Sequence, residues 1–386
     1  AYLCTFSPWN TVLAPGGPLQ VGIEPASLPN PDLKWESTAQ FDAGLDMGFL
    51  DGRITATLDV YRKTTSNLLL NVPVGNWWGA STEIVNAGSV RNQGIELSIN
   101  TVNVRSGGFS WTSSFNAAYN KQKVLKLAPG ISAIYGNTAN PSGTVSGAQF
   151  TKLAVGTELG ELYGYKYAGV IKTGEKYAPE PNAKPGDPKY VDVNGDGAIT
   201  PADETYLGNT SPHYTAAIGN NFSYKGFGLS VFFQGAFDYD LYNMNALVLE
   251  STTGAAGLNR FVPGVNENTN IPREGYFLST YGGYVNSRFV QNASYVRLKT
   301  LSFSYTIPSS AFNKVPFIRG LTIYGEGQNL LTFTGYKGTD PEENVHQGLA
   351  LNAQGGYSGN NTTGGLDFGG FPAFRTYIIG LKLSVH

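Results

Sequence analysis

A single cysteine, Cys4, among 386 residues excludes an intramolecular disulfide and any cysteine-based zinc site. Charge is scarce too. Asp, Glu, Lys and Arg make up 14% of the chain, against roughly 25% in an average soluble domain. The 26 basic side chains nearly balance the 28 acidic ones, for a net charge of −2. No basic face invites nucleic acid, and no acidic tail implies disorder. No apolar run approaches the roughly 18 residues that a transmembrane helix needs. The opening Ala1-Tyr2-Leu3-Cys4-Thr5 has no basic stretch before an apolar core, so no signal peptide is visible. Nucleophile elbow, phosphate loop and dinucleotide fingerprint are all missing. The three histidines, His213, His346 and His386, lie far apart without close metal-ligand partners and read as ordinary. Nothing points to an enzyme.

Helical periodicity is nearly absent as well, whereas two-residue alternation recurs along the chain. Gly (49), Tyr (23) and Phe (21) are abundant, as sheets joined by tight turns require. Four segments carry aromatic residues at both ends of one face: Phe41 to Phe49, Trp111 to Tyr119, Tyr214 to Tyr224 and Phe227 to Phe237. Between these bookends the same face is apolar or small, as in Phe41, Ala43, Leu45, Met47 and Phe49. The opposite face is Asp, Gly, Ser, Thr and Asn. At a tilt near 45°, eight to ten residues project onto roughly 19–23 Å, close to the apolar band of an outer-membrane barrel with its two aromatic girdles.

The alternation predicts ten strands, near 33–49, 53–72, 88–104, 109–127, 161–172, 214–225, 227–243, 294–308, 319–334 and 374–386. Short links (Leu50–Gly52, Arg105–Gly108, Lys225-Gly226, Pro308–Arg319) alternate with long ones over 73–87, 128–160, 173–213, 244–293 and 335–373. Short turns at one end and long loops at the other are the habit of outer-membrane barrels. A soluble β-sandwich also alternates, so a soluble glycan-binding sandwich stays open beside the barrel. So does a smaller passive porin, since barrels close from eight strands upward. In Tyr295–Pro308 apolar parity switches from Val296 and Leu298 to Leu301, Phe303 and Tyr305. A bulge near Thr300, or a strand whose first half stands above the membrane, accounts for the switch.

The most specific local motif is Asp192-Val-Asn194-Gly-Asp196-Gly197-Ala198-Ile-Thr200-Pro-Ala-Asp203. It matches a twelve-residue calcium loop, with oxygen ligands from Asp192, Asn194 and Asp196, the turn glycine Gly197 and the Ala198 carbonyl. Thr200, directly or through water, and Asp203 complete the set. Asp203 is shorter than the usual bidentate Glu, and the flanks are not helical. The expectation is a structural Ca2+ of weak, extracellular-type affinity pinning the 173–213 loop. The competing reading is an Asx-rich turn that binds nothing. Trp77-Trp78 and the Tyr281–Tyr284 stretch are candidates to stack on sugars or peptides, or to pack one loop on another.

Several stretches together resemble the SusC/RagA family of TonB-dependent outer-membrane transporters of Bacteroidetes. They are Asn30-Pro-Asp-Leu-Lys-Trp-Glu36, Asn86–Glu96, Asp192–Gly208 with Pro212, Tyr295–Tyr305 and Gly327-Gln-Asn-Leu330. The resemblance runs from residue 30 to the C-terminus in the family's order. It implies an all-β transmembrane antiparallel β-barrel of about 22 strands, closed by an N-terminal plug. Residues 1–386 would supply the C-terminal part, roughly ten strands with long extracellular loops. It further implies a SusD-type surface lipoprotein partner, TonB as energy source, and import of oligosaccharides or peptides. The plug, TonB box, signal peptide and first barrel strands have no counterpart here, so residue 1 is expected well inside a longer chain. The end departs from the family as well: Val385 stands where members carry a final aromatic, and a polar His386 follows.

Overall fold

The computed structural model describes residues 5–11, 17, 19–73, 82–137, 149–251, 255–276, 283–312, 317–342, 364–367 and 370–385. Its main element is one nine-stranded antiparallel sheet. We number its strands β1 (Ser37–Phe49), β2 (Ile54–Pro73), β3 (Thr82–Ser106), β4 (Phe109–Lys126), β5 (Tyr214–Tyr224), β6 (Phe227–Phe237), β7 (Tyr295–Ile307), β8 (Ile318–Thr334) and β9 (Thr376–Val385). Each pairs only with its neighbours in sequence, so the sheet is a pure meander. Turns with positive φ at Leu50, Asp51 and Gly52, at Gly107 and Gly108, and at Lys225 and Gly226 close three of the short connections. The long connections all leave from the opposite end. β2 and β3 run to 20 and 25 residues, far more than the nine to eleven that cross a bilayer, so their outer halves stand clear of it.

Register shows that the bookended faces are one surface. Phe115, Ile218, Phe233 and Leu298 lie in one row across four strands. Phe109, Tyr224, Phe227 and Tyr305 form a row at the short-turn end, and Tyr119, Tyr214 and Phe237 one at the long-loop end. Neighbouring rings touch: Trp111 stacks on Phe222 with centroids 5.6 Å apart, and Phe227 meets Tyr305 at 4.5 Å. These are the cross-strand aromatic contacts that stabilise a sheet face. No second sheet covers this face among the described residues, and its apolar side chains stand bare, with Phe41 67% and Leu381 69% exposed. A sandwich would bury that face at about 10 Å from a partner sheet. Here lipid is the partner.

The bulge expected near Thr300 is present. Register slips between Leu298 and Thr300 against both neighbouring strands, and Asn329 on β8 takes φ 54° opposite. The parity switch is therefore a local kink that keeps Leu298 and Leu301 on the same face.

One expected wall strand is corrected. Segment 161–172 lies outside the wall as two four-residue strands, Glu161–Gly164 and Tyr167–Val170. Four residues are too few to cross a bilayer. Gly164 interrupts the run where a Cβ would sit 2.4 Å from the Val285 carbonyl oxygen. Tyr165, Tyr167 and Tyr163 serve loop packing instead of lipid.

The long loops carry their own compact core, which is where a membrane protein with a single-layer wall must put one. A four-stranded sheet (Ala133–Asn137, Gln149–Ala154, Glu161–Gly164, Thr205–Asn209) packs near a three-stranded one (Asp240–Asn243, Val290–Asn292, Leu366–Asp367). Phe150, Leu162, Tyr242, Met244, Phe289 and Leu366 are buried together between them.

Candidate functional site

The wet face of the wall is the reverse of the apolar one. Asp46, Thr57, Ser98, Asn116, Ala217 and Gln234 form one row, and Asp59, Glu96, Ala118 and Thr215 the next. Small residues at Ala118, Thr215 and Ala217 leave a hollow of about 600 Å³ over this face. Such a surface suits water and polar solutes, and nothing on it resembles a nucleophile–base pair.

Two stretches distant in sequence meet at the outer end of β2 and β3. The Asn86 amide accepts from the Lys34 N–H at 2.6 Å and donates to the Lys34 and Asn67 carbonyls at 2.7 and 2.8 Å. Asn30 donates to the Ile84 carbonyl at 2.9 Å, and Glu36 accepts the Leu69 N–H at 3.0 Å. The chain from Asn30 to Glu36 is thus stitched onto the strand pair before β1 begins. Asn86 and Glu36 thereby satisfy the Asn67 carbonyl and the Leu69 N–H beside the bulge at Asn67.

The calcium-type loop is closed by its own hydrogen bonds. Asp192 accepts from the Gly195 and Gly197 amides, Asn194 from Asp196, and Asp196 from Ala198. Asp203 is buried and accepts from the amides of Val193, Asn194 and Thr200. Burial alone would raise its carboxyl, but these amides outweigh that and hold it below the ordinary Asp value. Thr200 and Asp203 also form a capping box on the short turn Pro201–Asp203. No three His, Cys, Asp or Glu side chains converge on a metal position among the described residues. Asp192, Asn194 and Asp196 carry hard oxygens of the kind calcium takes, with Ala198 and Thr200 alongside, but all three already accept hydrogen bonds inside the loop. Asp203 likewise would have to exchange amide bonds for an ion.

Of the candidate aromatics, Trp77, Trp78 and Tyr281 lie outside the described residues. Tyr284 stacks on Tyr165 with centroids 4.2 Å apart and planes at 12°, beside Tyr190 at the base of the same loop. Nearby, Glu180 is buried with its carboxyl pushed up to about 7 by desolvation.

His213 is not the ordinary residue that its isolation in sequence implied. Its Nε2 lies 2.7 Å from Glu158 and its Nδ1 2.8 Å from Asp238, while Lys121 binds the other Glu158 oxygen at 2.9 Å. Facing a carboxylate with each ring nitrogen requires both to carry protons. Burial would lower the imidazole, but the two carboxylates win and raise it above 6.5. The bridge ties loop residue Glu158 to the ends of β5 and β6. Its contribution is complete below pH 6.5 and is lost as pH rises through the raised value. Protection against hydrogen exchange around Glu158, with the intrinsic base-catalysed rate divided out, is therefore expected to fall on alkaline titration, and His213→Gln to remove that fall. Protection that stays level in the parent protein would contradict the bridge.

A one-layer antiparallel meander with a bare, girdled apolar face and a polar hollow behind it defines the wall of an outer-membrane β-barrel. Residues 10–330 match the family described as TonB dependent receptor-like, beta-barrel. The chain belongs to that family, whose place is the outer membrane. It is 35% identical over 392 residues to the TonB-dependent receptor P3 of Formosa agariphila, covering 98% of this chain and 37% of that protein. It is 29% identical to the TonB-dependent receptor SusC of Bacteroides thetaiotaomicron, covering 92% of this chain and 32% of SusC. The fold matches the RagAB peptide transporter with a TM-score of 0.75 at 24% identity, over 99% of this chain and 38% of the other. The chain thus spans about a third of the length of the proteins it resembles.

Proposed function

We propose that this chain forms the C-terminal wall and outer loops of an importer that takes oligosaccharides or peptides across the outer membrane. One observation carries the reading: the meander is open. Neither the outer edge of β1 nor that of β9 has a strand partner among the described residues. Unpaired N–H and C=O groups at bilayer depth cost several kcal/mol each, so a spanning sheet must close. Further strands of the same protein would complete a barrel of about 22 strands, wide enough to hold a plug in its lumen. A closed porin of about ten strands gives no account of these edges. Import would then draw on TonB through the plug, with a SusD-type surface lipoprotein over the long loops. The likeness to SusC and to a peptide transporter supports both partners and leaves the two substrate classes side by side.

The test is uptake by cells carrying the full-length protein, with and without a functional TonB. Accumulation of an oligosaccharide or peptide that stops when TonB is removed supports import. Flux that survives its loss fits a passive porin, and extraction without detergent fits a soluble binding protein.

We also propose that the loop 192–203 takes Ca2+ weakly, through Asp192, Asn194, Asp196, the Ala198 carbonyl, Thr200 and Asp203. The competition of an ion with the amides that already bind Asp192 and Asp203 is what keeps affinity low. With a dissociation constant of about 1 mM, about 10 mM Ca2+ stabilises the loop by roughly 1.4 kcal/mol. Hydrogen exchange in 192–203 should slow with Ca2+ but not with Mg2+, and Asp192→Asn with Asp196→Asn should abolish the difference. Equal exchange in Ca2+ and in chelator would leave only the turn.

A further inference from the structure

Arg297 stands on β7 in the row of Gln234 and Thr332, on the wet face of the wall. A side chain there should be bathed in water, yet Arg297 is 1% exposed. What covers it is the first part of the β8–β9 loop, turned inward. Arg297 donates to Asp340, to Glu342 at 2.6 Å and to Thr332 at 3.0 Å. Gln234 donates to the second Glu342 oxygen at 2.9 Å, and the Tyr239 hydroxyl to the Pro341 carbonyl at 2.7 Å. At the other end of the segment the Tyr336 ring packs with Ala236, Tyr239 and Tyr295. Its hydroxyl donates to the fully buried Asp367 at 2.7 Å.

Stability alone does not call for such an arrangement. A buried ion pair is often no better than apolar side chains of the same volume, but breaking one by removing a partner is strongly destabilising. What the charges supply is a single position for the segment. That position has a consequence for transport, because Gln234, Ala236 and Tyr295 belong both to its seat and to the rim of the 600 Å³ hollow.

We propose that Tyr336–Glu342 is a fixed strap inside the barrel mouth, that Arg297 is its anchoring residue, and that the strap limits the size of solute reaching the hollow. This rests on the transporter reading given above. Arg297 acts here as a positioning residue, and the limit falls on polar solutes such as oligosaccharides or peptides entering from the long-loop side. Beyond the strap the hollow is walled by Thr215, Ala217 and Ala118, whose short side chains set no such limit.

The experiment uses the full-length protein in outer membranes, in a cysteine-free background with the single reporter Thr215→Cys. A small maleimide and bulky polyethylene-glycol maleimides are added from outside, to the parent and to Arg297→Gln. The small reagent should label both at similar rates. Labelling by the bulky reagent should rise by about a hundredfold in the variant, the change in open population expected when a buried ion pair loses a partner. Hydrogen exchange over 336–342 should quicken in parallel. Asp340→Asn, which leaves the wall strand intact, should move both readouts the same way if Arg297→Gln folds poorly. Release of the strap without any change in bulky labelling would overturn its role as a size limit. Unchanged exchange over 336–342 in both variants would overturn the anchor. Failure of the small reagent to label either protein would overturn the placement of the hollow. Labelling needs no energy source, so loss of the TonB-dependent reading would leave these outcomes unaffected.

Discussion

Ile218→Arg is expected to lower the stability of the inserted barrel by roughly 2–4 kcal/mol, the cost of an arginine on the lipid face near the bilayer midplane. Ile218 sits in the middle of its row, between Phe115 and Phe233, and is 41% exposed with no protein over it. Its neighbour in sequence, Ala217, points to the opposite face and lines the hollow. Ala217→Lys places the same charge in water and should cost well under half as much. Urea titration of the full-length barrel refolded in bilayers reads both. Equal losses at the two positions would mean that the faces are not distinguished by lipid, and a soluble sheet would then be the better reading.

Asp367→Ala should release the loop core without unfolding the wall. Asp367 is 0% exposed and accepts from the Tyr336 hydroxyl at 2.7 Å, the Thr339 amide at 3.1 Å and the Asn245 amide at 2.9 Å. Removing the carboxylate takes an acceptor from the buried Tyr336 hydroxyl and from the more exposed Thr339 and Asn245 groups, a loss of roughly 1–3 kcal/mol. The loss is local, since Asp367 belongs to the three-stranded loop sheet through its parallel pairing with Asn243. Hydrogen exchange is expected to quicken in 240–245 and 336–342 while β4 to β6 keep their protection. Asp367→Asn, which retains one acceptor, should lose less. Uniform loss across the wall would show that loops and barrel fold as one unit.

The wall was legible because its chemistry has period two. Nine of the ten strands foreseen from alternation stand in the meander, and the bookended faces fall on one surface. Segment 161–172 misled because its tyrosines mimic a girdled strand. Its true partners are the short loop strands Gln149–Ala154, Pro188–Tyr190 and Thr205–Asn209 and the bridge to Asn286, none of them in the wall. The loop core stayed hidden for the same reason. His213 looked idle because its carboxylates are 25 and 55 residues away. Arg297 looked like any polar residue on a wet face, and only the parity switch two residues later hinted at something unusual in β7. For the loop 192–203 the ligand spacing could be read, and so could the cap. Thr200-Pro-Ala-Asp203 has the Thr-x-x-acid form of a capping box, and that form foretells that Asp203 is engaged by backbone amides.

The claim on which the rest depends is that one face of the meander meets lipid and the other water. Single spin labels placed in turn at 214 to 224 in the full-length barrel, reconstituted in bilayers, test it directly. Oxygen accessibility should peak at the positions of Ala216, Ile218 and Phe222. Accessibility to a water-soluble nickel chelate should peak at Ala217, Gly219 and Asn221. Two profiles that alternate out of phase over these residues are the predicted result. Chelate access at every position, or two profiles in phase, would contradict a membrane wall.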